Sequence, residues 1–115
     1  MYGEIWLPHP NFPGYEFSNF GDVLYKGRPK YVRRMSQGNG NFYVSFEIEI
    51  AGKRKIIRVH HIVAELFIGP RPPSMVVMHL DDNRNNNVWT NLAYGTQSDN
   101  EIIKRDIRLA RFGFY

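Results

Sequence analysis

The run Met78-His79-Leu80-Asp81-Asp82-Asn83-Arg84-Asn85-Asn86-Asn87 decides how this 115-residue chain is read. Met75 to Leu80 is short and apolar, which predicts a strand. Asp81 to Asn87 is wholly polar and predicts a loop, because Asp and Asn side chains close turns onto their own backbone. Val88 to Gly95 is expected to return as a second strand. Thr96 or Ser98 can cap a closing helix, and Ser98 and Glu101 have capping-box spacing. Ile102, Ile103, Ile107 and Leu109 give that helix a rough apolar stripe. The order from Met75 to about Ala110 is strand, loop, strand, helix: a ββα unit. It puts His79 at the end of its first strand and Asn100 in the first turn of its helix.

Upstream, Phe42, Val44, Phe46, Ile48 and Ile50 alternate with Tyr43, Ser45, Glu47 and Glu49, the period of a strand. Ala51-Gly52 predicts a turn, and Lys53 to Val59 returns as the second arm of a hairpin. From His60 to Phe67 the period changes. Ile62, Val63, Leu66 and Phe67 fall on one helical face, and Gly69-Pro70 stops the helix. Gly3 to Tyr25 is rich in Pro, Gly and aromatics and predicts turns with short strands, one of them running from Tyr15 to Phe20 and closed by Gly21. Lys26 to Arg34 reads as a basic connection, and Ser36 to Asn41 as a loop. The expected architecture is one α+β domain over 1–115. A β-rich part with a hairpin (1–58) packs on a C-terminal ββα core (59–115).

Charge narrows the class of partner. The net charge is +4, and it is clustered. Nine Lys and Arg lie between Lys26 and Arg58, against Glu47 and Glu49 alone, and Lys104, Arg105, Arg108 and Arg111 close the chain. A face of this kind suits a polyanion, since each neutralised phosphate releases condensed counterions. With no cysteine, disulfides and thiolate zinc sites are excluded, and a reducing cytoplasm is the expected setting. No apolar run is long enough to span a bilayer, and no secretory signal is visible.

The sequence resembles the HNH endonucleases of phage and intron-homing type. The matching residues are Met78 to Asn87, then Asn91-Leu92, then Gly95-Thr96-Gln97-Ser98-Asp99-Asn100. Val59-His60-His61-Ile62-Val63-Ala64 with Phe67 resembles the helix that precedes this motif. Tyr15-Glu16-Phe17-Ser18-Asn19-Phe20-Gly21 resembles a segment often found ahead of the nuclease core. The resemblance implies a ββα-metal core that hydrolyses DNA phosphodiesters to 3′-hydroxyl and 5′-phosphate ends. It implies His79 as general base, work that suits an imidazole with its ordinary pKa near ~6.5. It implies Asn91 as the residue that ties loop to strand and holds His79 in orientation. It implies Asn100 as a ligand for Mg²⁺ or Mn²⁺, hard ions matched to oxygen donors.

One position departs from the family pattern. The residue before the histidine is commonly a polar ligand there, and here it is Met78, whose thioether is a poor donor to a hard cation. Asp81, Asp82, His60 and His61 are the candidates to replace it, with Asp81 carried as the metal ligand. Lys53, Arg54, Lys55 and Arg58 form the densest patch for DNA backbone contact. Arg33, Arg34, His60, His61 and Arg84 are further candidates. A single site attacks one strand, so the expected action is nicking, with a homodimer needed for double-strand cutting. Met78 keeps a second reading open: a DNA-binding or regulatory module on the same scaffold without cutting activity. A third is a protein-interaction module that offers the basic hairpin to an acidic partner.

Overall fold

The computed structural model describes residues 3–36 and 42–112, with side chains to residue 107. Residues 37–41 of the expected loop, and the side chains of Arg108, Leu109 and Arg111, lie outside the described residues. Strands β1 (Trp6–Pro8), β2 (Tyr15–Ser18), β3 (Val23–Tyr25) and β4 (Arg28–Pro29) form an antiparallel sheet in sequence order. Strands β5 (Arg33–Ser36), β6 (Phe42–Ile50) and β7 (Lys53–Arg58) form a second sheet. Helix α1 (Val59–Phe67) follows, then β8 (Val76–His79), β9 (Leu92–Gly95) and helix α2 (Gln97–Phe112).

The β6–β7 hairpin matches its predicted bounds to within a residue. Its turn places Ala51 at φ 52 and Gly52 at φ 77. Two successive left-handed residues make the turn whose twist matches a two-residue hairpin. Lys26 (φ 52) and Gly27 (φ 77) repeat this device between β3 and β4. The expected basic connection from Lys26 to Arg34 is therefore not a plain connection. It carries β4 and the start of β5.

The ββα unit is present, with two differences from its sequence-based outline. Val88 to Gly95 is not one strand. Trp89–Asn91 is a single 3₁₀ turn, and only Leu92–Gly95 pairs with β8, from Val76↔Gly95 to His79↔Leu92. The turn forms because the Trp89 N–H donates to the Asn19 carbonyl (2.8 Å) while the Asn91 amide is drawn into the polar loop. The second difference is the cap of α2. The Asp99 N–H donates to Thr96 Oγ1 at 3.1 Å, and the Thr96 N–H donates to Asp99 Oδ2 at 3.0 Å. The capping box is thus Thr96 with Asp99 rather than Ser98 with Glu101, and it satisfies two otherwise orphaned donors.

One cluster of buried side chains spans both parts of the chain. Phe17 from β2, Phe46 from β6, Val59, Ile62 and Val63 from α1, and Leu92 from β9 all belong to it. Tyr15, Phe17 and Phe46 pack ring to ring, with centroids 5.4–6.3 Å apart. Helix α1 buries Val59, Ile62, Val63 and Ala64; of the face expected from its periodicity, Leu66 and Phe67 are only half-buried against the same cluster. A buried side chain just after β1 also ties the N-terminal sheet to α1: His9 Nε2 lies 2.7 Å from Glu65 Oε1. This packing fixes the N-terminal sheet and the ββα unit against the same helix. Among the described residues, no helix is long and apolar enough to cross a membrane.

Candidate active site

The polar loop after β8 is built by its own side chains. Asp81 Oδ1 accepts from the Asn83 N–H (2.8 Å), and Asn83 Oδ1 accepts from the Asn85 N–H (3.0 Å). Asn86 Nδ2 donates to Asp81 Oδ2 at 2.9 Å. Asn91 Nδ2 donates to Asp81 Oδ1 (2.8 Å) and to the Asn86 carbonyl (2.9 Å), while Asn91 Oδ1 accepts from the Asp81 N–H (3.1 Å). Asp82 follows at φ 58, the left-handed region where Asp is better tolerated than most residues. Such a loop holds one shape because the side chains of Asp81, Asn83 and Asn91 accept backbone N–H bonds within it.

This geometry bears on two expected roles. Asn91 ties the loop to β9, as expected, but it does not hold His79. Asn87 does. It is buried, and its Oδ1 lies 2.8 Å from His79 Nε2. An amide oxygen only accepts, so Nε2 carries the proton and Nδ1 is left with its lone pair. Asp81, expected as a metal ligand, has both carboxylate oxygens engaged inside the loop. Burial alone would push its carboxyl up, but the bonds from Asn86, Asn83 and Asn91, with the nearby His79, bring it below the ordinary carboxylate value. The acid that lines the same small pocket as His79 is Asp82, together with Asn100, Arg84, Lys104 and Tyr43. Asn100 makes its helical backbone bond to Thr96, and its side chain makes no hydrogen bond to a described residue.

The histidines are brought together. His60 and His79 have ring centroids 4.8 Å apart, and His60 and His61 4.4 Å. Tyr43 stacks on His60 at 5.0 Å, and the guanidinium carbons of Arg58 and Arg84 lie 5.0 and 5.5 Å from the Tyr43 centroid. Burial, then the His61, His79 and Arg58 charges, push His60 down to about 2. Burial with Arg58 and Arg71 pushes His61 down to about 4, against an opposing pull from Glu65. His79 is also held below its ordinary value. Burial is the main cause, and the Asn87 hydrogen bond partly opposes it. A histidine that stays neutral below pH 6.5 is available to accept a proton throughout the neutral range.

These shifts predict the acid behaviour of the fold. The unfolded chain protonates a histidine near pH 6.5, whereas buried His60 stays neutral to about 2. Stability is therefore full above pH 6.5 and falls as the pH drops below it, by about 1.4 kcal/mol per pH unit from this ring. Urea unfolding at pH 7 and pH 5 checks this, with a loss of about 2 kcal/mol expected from His60. Equal stability at the two values would contradict it.

The other expected DNA contacts divide. Arg58, His60, His61 and Arg84 surround Tyr43 beside His79. Lys53, Arg54 and Lys55 sit at the far end of the hairpin, some ~17 Å of strand away. There Arg54 pairs with Glu47 at 2.8 Å, and Arg33 approaches the same carboxylate at 3.4 Å. Arg34 lies over Phe42 at 5.6 Å. A hollow of about 840 Å³ also belongs to that end and shares no lining residue with the His79 pocket. Sequence reasoning missed Asn87 as the partner of His79; it named Asp82 as a candidate ligand but carried Asp81, and Asp82 is the acid that lines the His79 pocket. Only the loop's internal bonds separate them.

A strand–loop–strand–helix unit with a buried, amide-tethered histidine at the end of its first strand defines an HNH-type ββα module. Residues 58–102 match the family model described as HNH endonuclease. It is 34% identical over 96 residues to the DNA endonuclease I-HmuI of Bacillus phage SP01, a match covering 83% of this chain and 54% of that one. It is 31% identical over 96 residues to the uncharacterized HNH endonuclease L245 of Acanthamoeba polyphaga mimivirus, covering 84% of this chain and 28% of the other. The solved structure of the HNH homing endonuclease I-HmuI, which concerns DNA binding and cleavage, superposes with a TM-score of 0.70 at 26% identity. That superposition covers 96% of this chain and 61% of the other. The chain thus spans about half the length of the first of these relatives.

Proposed function

We propose that the chain is a divalent-metal-dependent DNA endonuclease that nicks one strand, with His79 as general base. The observation that carries this is the 2.8 Å bond from His79 Nε2 to Asn87 Oδ1, which leaves Nδ1 basic in a pocket shared with Asp82, Asn100, Arg84 and Lys104. In the proposed reaction, water attacks the scissile phosphorus and His79 Nδ1 takes its proton. The bond from phosphorus to the 3′ oxygen breaks, and that oxygen leaves protonated by solvent. Arg84 holds the phosphate.

The donor set fits a hard cation. Asp82 offers a carboxylate and Asn100 an unengaged amide carbonyl, both oxygen donors, and Mg²⁺ commonly takes only one or two protein carboxylates beside substrate oxygens and water. When bound, such an ion supplies positive charge against the charge that develops on the phosphate and the leaving oxygen. Asn91 then acts at a distance, by fixing the loop. End chemistry tests the reaction. Nicks made in supercoiled plasmid are expected to be closed by DNA ligase, which requires 3′-hydroxyl and 5′-phosphate ends. Nicks that ligase leaves open would contradict this cleavage.

The rate has an expected pH profile. Because His79 must be neutral to accept the proton and its value is lowered, nicking holds from about pH 8 down to about pH 6.5 and falls only below that. An acid limb centred above about pH 6.5 would exclude His79 in this environment as the base.

Met78 favours the second reading, a DNA-binding module on this scaffold that does not cut. Its side chain is buried against β9. A Cβ at Gly95 would lie 2.6 Å from Met78 Cε and 2.8 Å from Sδ. A thioether therefore stands beside Asn100's helix where a hard donor would serve a cation better. Met78→Asp separates the readings. Under the nuclease reading, the native chain cuts and the substitution raises nicking about tenfold at low Mg²⁺. Cutting seen only in the Met78→Asp variant would establish the non-cutting module.

A further inference from the structure

Beside the His79 pocket lies a second cavity of about 290 Å³. Tyr43, Val77, Asn100 and Lys104 line both, so the two adjoin. The far part is lined by Arg58, His60, His61, Arg71, Gln97 and Lys104. Its lining carries cations and no acidic residue. Arg71 is exposed and pairs with no carboxylate among the described residues, and Lys104 reaches only the exposed Glu101, at 3.9 Å. The first turn of α1, which carries His60 and His61, contains no acidic residue, so the positive end of the helix dipole adds to the same sign.

A second observation is independent of charge. His60 is 2% exposed, and its Nδ1 is a buried side-chain polar atom with no hydrogen-bond partner. A buried unpartnered ring nitrogen costs roughly 1–3 kcal/mol unless something meets it. The ring is neutral at working pH, so an Nδ1–H can donate to an anionic oxygen without a second charge having to be buried. Cations at the rim and a neutral donor at the wall suit a phosphate monoanion.

We infer that this cavity is a subsite for the phosphate next to the scissile one on the same DNA strand, held by Arg71, Lys104 and the His60 ring. The inference rests on the proposed action on DNA and assigns a register to it. The strand enters over Arg71, passes Tyr43, and presents the following phosphate to His79. The lone Arg71, some distance from His79 in sequence, acquires a role that neither the hairpin cluster nor the polar loop supplies.

The test uses the whole chain and a fluorescent duplex, with EDTA present so that nothing is cut. Fluorescence anisotropy between about 50 and 200 mM salt gives the slope of log K against log salt. Arg71→Gln is expected to flatten that slope by about 1, as follows when one fewer phosphate is neutralised. In parallel, the imidazole ¹⁵N signals of the native chain are followed as unlabelled duplex is added. His60 Nδ1 is expected to move, and to stay still in Arg71→Gln. The exposed position of Arg71 keeps that variant folded. Native binding with an unchanged slope in Arg71→Gln and a silent His60 would overturn the subsite and leave DNA as the partner. No binding by the native chain at the lowest salt would overturn the reading on which the subsite rests.

Discussion

His79→Ala is expected to lower the nicking rate by about 10²–10⁴-fold, the usual worth of a positioned general base, while DNA affinity changes little. The two effects separate because of where the ring sits. His79 is 7% exposed and its one described side-chain bond is to Asn87, so it contributes a proton acceptor rather than a charge. Phosphate attraction comes from Arg84, Lys104 and Arg71 at the rim of the cleft. Nicking kinetics and anisotropy on the same variant check the split. A His79→Ala variant that cuts at the native rate would remove the ring from the mechanism. One that loses affinity as well as rate would make it a binding group.

Gly21→Ala is expected to act on the same histidine from the other end of the chain. Gly21 has φ +91, and a Cβ there would lie 3.0 Å from Asn87 Cβ and 3.1 Å from the Asn87 carbonyl oxygen. Backbone cannot yield as a flexible side-chain tip can. The turn that holds Gly21 is rigid as well. Buried Ser18 Oγ accepts from the Phe20 and Asp22 N–H groups, and the Asn19 side chain accepts from Ile5 N while its backbone carbonyl takes Trp89 N. The substitution therefore combines an unfavourable backbone region with displacement of Asn87. A cost of about 1–3 kcal/mol in stability is expected. A nicking rate down about tenfold or more with unchanged DNA affinity should accompany it, since the proton position on His79 depends on Asn87. Native stability together with native rate would show that the N-terminal segment does not brace the site.

The meeting of Gly21 with Asn87 also explains what the sequence could and could not convey. The period-two run from Phe42 to Ile50 and the helical face of Ile62, Val63 and Leu66 are local patterns, so the hairpin and α1 were legible within a residue or so. The ββα order was legible too, because turn-forming Asp and Asn residues separate its parts. Partner choice inside the loop was not. Asn83, Asn86, Asn87 and Asn91 are chemically identical, and only the fold decides which amide faces His79 and which faces Asp81. Asp81 and Asp82 differ in the same way, by one left-handed residue. Arg71 and Tyr43 carried no motif at all, since the cleft that gives them meaning is assembled from β6, α1 and α2. The segment Ser18-Asn19-Phe20-Gly21 was legible as a pattern, but its purpose, to hold Asn87 and Trp89, appears only when both ends of the chain meet.

Whether this chain cuts DNA with a metal ion is decided by nicking of supercoiled plasmid by the native chain in Mg²⁺, in Mn²⁺ and in EDTA. Nicked circles are expected with either ion and none in EDTA. Plasmid left supercoiled in both metals, with DNA still bound, would contradict the nuclease reading and make this chain a binding module on an HNH scaffold.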